Sequence, residues 1–420
     1  MSLKTLTLLA AATAALSSTL WISAGQSDAC KSRATIAVED ERKSFKDAQD
    51  KLVAADNALG FKLLADLAAA DKGKNVFISP VSISTALSMT CNGAAGETAK
   101  EMANALQFGS MTESEINGGN RALRSALTGN AEIRLDIANS LWMRKGKTFK
   151  QDFLDRVAEN FGVEMQSLDF ADPATLSTIN NWCSKNTNGK IDKILDRIAT
   201  DAVMYLINAV YFKGEWKTQF DKKRTCDVDF TLADGKVVSV PMMTAKFDAK
   251  AIEGETLDAV KLPYKGGNTS MVVFVPKAGK TLAELVGSLD AATWAKWQKE
   301  FSVHKDLEIN LPRFKVEYET ALVEPFKKLG MKKAFGKEAD FTRLDESAKI
   351  EPVFISDIRH KTFVEVNEEG TEAAAVTSVE LKQECVQFAF RADCPFLYAI
   401  TDEATGAILF MGVMNNPAAK

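Results

Sequence analysis

Only two histidines, His304 and His360, occur in 420 residues, and that scarcity bounds the chemistry open to the chain. A Ser-His-Asp triad would have to be built on one of them, and a zinc site would need a His/Cys cluster that these positions do not supply. The six cysteines, at 30, 91, 183, 226, 385 and 394, form no Cys-x-x-Cys pair and are too sparse for a disulfide framework. Cys91 and Cys183 sit in apolar contexts and read as free, buried thiols. Glu368-Glu369 imitates a pair of catalytic carboxylates, but no partner group converges on it in the sequence. P-loop, dinucleotide, HExxH and GxSxG patterns do not occur. The residues therefore point to a protein with no catalytic residue, no metal and no cofactor.

What remains is conformational chemistry. In Val366-Asn367-Glu368-Glu369-Gly370-Thr371-Glu372-Ala373-Ala374-Ala375-Val376-Thr377 a strand-like segment runs into acids and a glycine, then into small side chains. Such side chains do little to specify a fixed loop, yet fit almost anywhere in a closely packed sheet. The composition suggests a segment with two homes. Alternation puts Thr371, Ala373, Ala375 and Thr377 on one side of an extended strand, and Glu372, Ala374, Val376 and Ser378 on the other. The first set is uniformly small and can enter beneath covering helices without desolvating a charge. Gly370 supplies backbone freedom at the turning point, and no Pro interrupts the stretch.

The elements that must position this segment follow from hydrophobic periodicity. Helical spacing is predicted over 44–69, 82–91, 96–106, 152–161, 174–184, 283–300 and 320–329. Residues 112–120 read as a solvated connection or the start of a surface helix. Strands are predicted over 75–80, 133–142 and 203–212, the last a central one because only Asn208 interrupts its apolar run. Further strands cover 237–242, 257–263, 270–276, 307–317, 362–367, 386–391, 396–401 and 407–414. Helices mostly early and strands mostly late indicate an α+β domain. With 46% hydrophobic residues the chain can bury a large core.

A charge of −4, from 52 basic and 56 acidic residues, points to neither nucleic acid nor an anionic membrane. The N-terminus is a separate piece. Lys4, the apolar run 6–22 and the small or polar residues after it read as an export signal within 1–29, cleaved somewhere in 24–29. The mature chain is then secreted or periplasmic, with 30–44 a flexible lead-in and 45–417 one domain. An N-terminal anchor is the alternative. Lipidation at Cys30 is disfavoured by Asp28.

An ordered set of motifs resembles the serpin family of protease inhibitors. It comprises Asn75-Val76-Phe77-Ile78-Ser79-Pro80-Val81-Ser82, Gly96-Glu97-Thr98, the run from Leu206 through Asn208 to Trp216, Leu311-Pro312-Arg313-Phe314, Ala339-Asp340-Phe341, the hinge Glu368 to Thr377, Pro395-Phe396 and Phe410-Met411-Gly412. The resemblance implies an α+β serpin fold of three sheets and about nine helices, monomeric, with an exposed reactive loop near 368–390. It implies a suicide substrate whose cleaved loop inserts into the large sheet and traps the acyl-enzyme. It also implies that Ser79, Ser82, Asn208 and His360 form a polar network where that sheet opens. Trp216 and an Arg313-Glu368 pair would stand at the gate, the pair holding the loop out.

The family's near-fixed spacing, counted forward from Gly370 and back from Pro395-Phe396, places the scissile bond at Glu384-Cys385. The bait is then Leu381, Lys382 and Gln383 before Glu384. An acidic primary residue suits a glutamyl-specific serine protease. A caspase-like cysteine protease ranks lower because that pocket usually demands Asp, and elastase- or subtilisin-type enzymes require Glu384 only to be tolerated. A trypsin-like target would need cleavage after Lys382. A non-inhibitory binding or chaperone protein on the same scaffold is the alternative, with a hydrolase third.

Overall fold

The computed structural model describes residues 28–128, 133–371 and 388–419, and the chain divides into Met1–Asp47 and Ala48–Lys420. Nine α-helices and fifteen strands lie among the described residues. Residues 1–27 of the export segment 1–29 fall outside them, and its last two residues open the first helix. Residues 30–44, expected to be flexible, are instead helical within Asp28–Ala70. The reason is local: no Gly or Pro occurs between Asp28 and Leu59, and the good helix formers Ala and Lys supply eleven of those 32 positions. Leu52, Leu59, Leu63 and Leu67 are buried, as the spacing predicts.

Helix Pro80–Cys91 starts with proline at its first turn, and Ser79 caps it by accepting from the Ser82 N–H. The segment read as a connection or helix start is helix Glu113–Leu127, opened by a reciprocal Thr112/Glu115 capping box. The single helix predicted over 283–300 is two, Leu282–Gly287 and Ala291–Glu300. Asp290 breaks it, because its carboxylate caps the second by accepting from Thr293 N at 2.7 Å.

Hydrogen bonding joins the strands into two sheets, of nine and six strands, rather than three. The two expected smaller sheets merge because the long strand Val237–Glu253 pairs with Cys226–Thr231 and Leu257–Pro263 at opposite ends and with Ser302–Pro312 along most of its length. The strand predicted over 307–317 is likewise two. Ser302–Pro312 belongs to the larger sheet and Phe314–Ala321 to the smaller, and the chain crosses between them at Arg313.

The six-stranded sheet runs in the order Phe314–Ala321, Asp357–Asn367, Gly370–Thr371, Met204–Glu215, Ile133–Arg144, Glu164–Leu168. Asp357–Asn367 and Met204–Glu215 pair directly and in parallel from Asp357↔Tyr205 to Phe363↔Tyr211. Met204–Glu215 is buried on both faces, which explains its unbroken apolar run. Leu206, Val210 and Phe212 face the main core. Tyr205, Ile207 and Tyr211 face outward beneath Ile179 and Cys183 of helix Ala174–Asn186 and beneath Ile191 and Ile194 of the strap that follows it.

Candidate functional site

The gate forms where the chain reverses after Asn367. Glu368-Glu369 make the turn, and Gly370–Thr371 then stand between the two strands, opposite Asn367 and Val366 on one side and Glu215 and Gly214 on the other. Gly370 has φ +152, and a Cβ there would lie 2.3 Å from the Gly214 carbonyl oxygen and 2.6 Å from Glu215 Cα. Only glycine fits so close an approach. The three carbonyls of the turn are all taken by the segment facing it. Asn367 O accepts from Trp216 Nε1 at 2.9 Å, Glu368 O from Phe220 N at 2.8 Å and Glu369 O from Trp216 N at 2.9 Å.

Both turn carboxylates are buried. Glu368 receives Thr225 Oγ1 at 2.6 Å and pairs with Arg313, while Glu369 pairs with Lys222. Burial alone would raise the Glu368 carboxyl, but the Arg313 and Thr225 hydrogen bonds outweigh it and hold it below the usual carboxylate range. Trp216 stacks on Tyr264 with centroids 4.5 Å apart, and the Tyr264 hydroxyl lies 2.8 Å from Thr371 Oγ1. Arg313, Trp216 and Glu368 thus come together. With the Arg313-Glu368 pair formed, Gly370–Thr371 are already seated, so the pair secures the turn in its slot instead of holding the segment out. Thr371 faces the core, sharing the parity of Val366, and so points away from the covering helix Ala174–Asn186.

Below the gate, one rung closes the seam. His360 stands opposite Asn208, and Asn208 opposite Asn139. The Asn208 carboxamide accepts from His360 Nδ1 and donates to Asn139 Oδ1 and Ser82 Oγ. His360 Nε2 accepts from Ser79 N at 3.1 Å, and Ser79 Oγ donates to Leu409 O at 2.7 Å. An accepting Nε2 puts the ring proton on Nδ1 and leaves the imidazole neutral. The network ties both strands of the seam to the N-terminus of helix Pro80–Cys91.

Burial pushes the His360 imidazole down to about 3 from an ordinary 6.5. Between those values the unfolded chain binds a proton that the native rung excludes, so native stability falls as pH drops through the window and is unaffected by this group above it. The urea midpoint of the wild-type protein is therefore expected to fall more steeply from about pH 7 to about pH 4 than that of a His360→Gln variant. Equal slopes would show that His360 does not control the acid limit.

The other sequence candidates are dispersed. His304 lies 3.2 Å from Ser302 Oγ and against the Phe388 ring, in an open groove that it shares with Glu253, Glu255 and Glu300. Cys91 and Cys183 are free, Cys183 fully buried and Cys91 partly, and burial pushes their thiols up to about 11 and about 12. Among the described residues no His, Cys, Asp and Glu side chains gather as metal ligands. Hinge residues Glu372, Ala373, Ala374, Ala375, Val376 and Thr377 and the bait through Cys385 lie outside the described residues. Sequence reasoning missed Lys222, Thr225, Tyr264 and Asn139. Asn139 had a signal, as a polar residue at a core-facing position between Ile137 and Leu141.

The site thus combines a directly paired parallel seam, a buried polar rung of side chains across it, and a two-residue strand lodged at the end where the seam parts. The family profile described as Serpin (serine protease inhibitor) matches residues 54–417, and the chain belongs to the serpin family. It is 35% identical over 382 residues to an uncharacterized serpin-like protein of Thermococcus kodakarensis, covering 89% of this chain and 88% of that one. It is 34% identical over 382 residues to the leukocyte elastase inhibitor of Bos taurus, covering 88% of this chain and all of that one. The solved native structure of the thermophilic serpin tengpin superposes with a TM-score of 0.81 at 32% identity, over 87% of this chain and 94% of that one. Serpins inhibit proteases without turning over, so this chain is an inhibitor and not an enzyme.

Proposed function

We propose that this protein is a single-use trap for serine proteases, cut at Glu384-Cys385. The serine Oγ attacks the Glu384 carbonyl, the bond to the Cys385 nitrogen breaks, and the enzyme stays esterified to Glu384 while the freed loop enters the sheet. The observation that carries this reading is the seated pair Gly370–Thr371. Continuing its register places Ala373 between Val364 and Phe212, Ala375 between Thr362 and Val210, and Thr377 between His360 and Asn208. In that register these three residues would face the core as Thr371 does, where small side chains meet no steric objection. Thr377 would arrive at the His360–Asn208 rung, where a side-chain bond must break along with the backbone pairing, carrying a hydroxyl able to hydrogen-bond to both partners.

Glu384 favours a protease whose primary pocket presents positive charge or strong hydrogen-bond donors. The relatives' names are consistent with serine proteases as a class, and one inhibits a leukocyte elastase. A secreted or periplasmic location belongs to the same proposal and rests on the apolar run 6–22. Incubation with a glutamyl-specific protease is expected to give an SDS-stable complex of about one-to-one stoichiometry, and mass spectrometry a new N-terminus at Cys385. A new N-terminus at Gln383 would overturn the assigned bond, and cleavage without any complex would overturn inhibition.

A further inference from the structure

Leu52, Asp56 and Gly60 lie one turn apart on one face of helix Asp28–Ala70. That face is tightly seated along its length. Leu52 Cβ is 3.1 Å from where a Cβ on Gly119 would stand, and Pro80 Cγ is 2.5 Å from where one on Gly60 would stand. Between these contacts Asp56 is 1% exposed. Ser84 of helix Pro80–Cys91 lies close enough to act on it. Yet Asp56 Oδ1 and the hydroxyls of Ser84 and Ser88, all buried, complete no hydrogen bond.

Among the described residues, no counter-ion reaches the carboxyl from the surrounding elements. Helix Pro80–Cys91 and strand Ile408–Met414 contain no Asp, Glu, Lys, Arg or His. Helix Glu113–Leu127 commits Glu113 to Arg343, Glu115 to Lys51 and Arg121 to Glu159, and its Arg124 lies against Gly162. On the same helix as Asp56, Lys62 is engaged by Gln107 and Asp66 by Lys328, while Asp50 is exposed. An ionised carboxylate in such a place is far more costly than the neutral acid. Burial accordingly pushes the group up to about 8.

We propose that Asp56 is a proton-held latch on the stressed native state. Protonated, it lets helix Pro80–Cys91 sit against its neighbour; ionised, it loosens the helix whose Ser79 and Ser82 tie the His360–Asn208 rung, and the sheet opens more readily. This rests on the reading that the seam opens to admit the loop. Between the ordinary aspartate value of 3.8 and about 8 the native state keeps a proton that the unfolded chain has released. Native stability therefore falls as pH rises through that window and is level beyond it. Burial keeps the native His360 imidazole down at about 3 and the Cys91 and Cys183 thiols up at about 11 and about 12, so of these buried groups only Asp56 titrates in the native state between about pH 6.5 and about pH 8.5.

The test follows the full chain without any protease, from about pH 6.5 to about pH 8.5, by its spontaneous conversion to the heat-resistant, loop-inserted form. Wild-type conversion is expected to accelerate about 10-fold over that interval, and that of Asp56→Asn to stay flat. Parallel profiles in the two proteins would overturn the latch. If Asp56→Asn does not fold, infrared spectroscopy of the wild type decides. A protonated-carboxyl band that disappears near pH 8 supports the proposal, and its absence at pH 6.5 sinks it. Failure to form protease complexes would overturn the trapping reading and leave the Asp56 titration standing.

Discussion

Replacing Thr371 with Arg is expected to turn the inhibitor into a substrate. Thr371 is fully buried between Val366 and Gly214, with its hydroxyl on Tyr264. An arginine there must either bury a guanidinium in the space where Thr371 now meets Tyr264 or drive the turn out of its slot. Both outcomes raise the barrier to insertion by several kcal/mol, whereas cleavage of the bait, far along the chain, is untouched. Every ~1.4 kcal/mol added to insertion shifts the competition between trapping and hydrolysis about tenfold. The measurement is the ratio of SDS-stable complex to cleaved inhibitor, with Thr371→Ser as the control that keeps the hydroxyl. An unchanged ratio in the Arg variant would mean that insertion does not begin at this slot.

The second large effect is expected at the rung. Asn208→Leu keeps the side-chain volume and removes the hydrogen bonds to His360, Asn139 and Ser82. It leaves a buried imidazole N–H, an amide and a hydroxyl unsatisfied, at a cost of about 3 kcal/mol or more. Calorimetry should show a lower unfolding temperature for the native form, and native gels a faster conversion to inserted or self-associated species. Because the cost falls on the closed seam, the loop-cleaved, inserted form should lose less. Equal losses in both forms would assign Asn208 a general packing role and not a seam-closing one.

How much of this was legible differs from residue to residue, for physical reasons. The central strand was visible because burial on both faces forces a long apolar run, and Asn208 stood out within it. The hinge was visible because small, proline-free sequence after a glycine is rare at the end of a strand. The reach of Val237–Glu253 beyond Met242 was faint, because its alternate apolar positions there fall largely to small alanines, at 245, 249 and 251. Lys222 and Thr225 were not legible at all. They come from a short turn without periodicity, and only tertiary folding brings them to Glu369 and Glu368. Asp56 was legible in retrospect, as an acid on a helix face otherwise given to Leu52, Leu59 and Leu63.

The parallel pairing along the seam carries a further consequence. Seven register pairs join Asp357–Phe363 to Tyr205–Tyr211, and parallel pairs of this kind are slightly weaker than antiparallel ones. Gly370–Thr371 run antiparallel to both neighbours. Each rung gained by the incoming strand therefore breaks one slanted, weaker connection and makes two perpendicular, stronger ones. Retreat must reverse that exchange, two for one, at every step. Under the proposed insertion the seam would work as a molecular ratchet, its teeth set by strand direction.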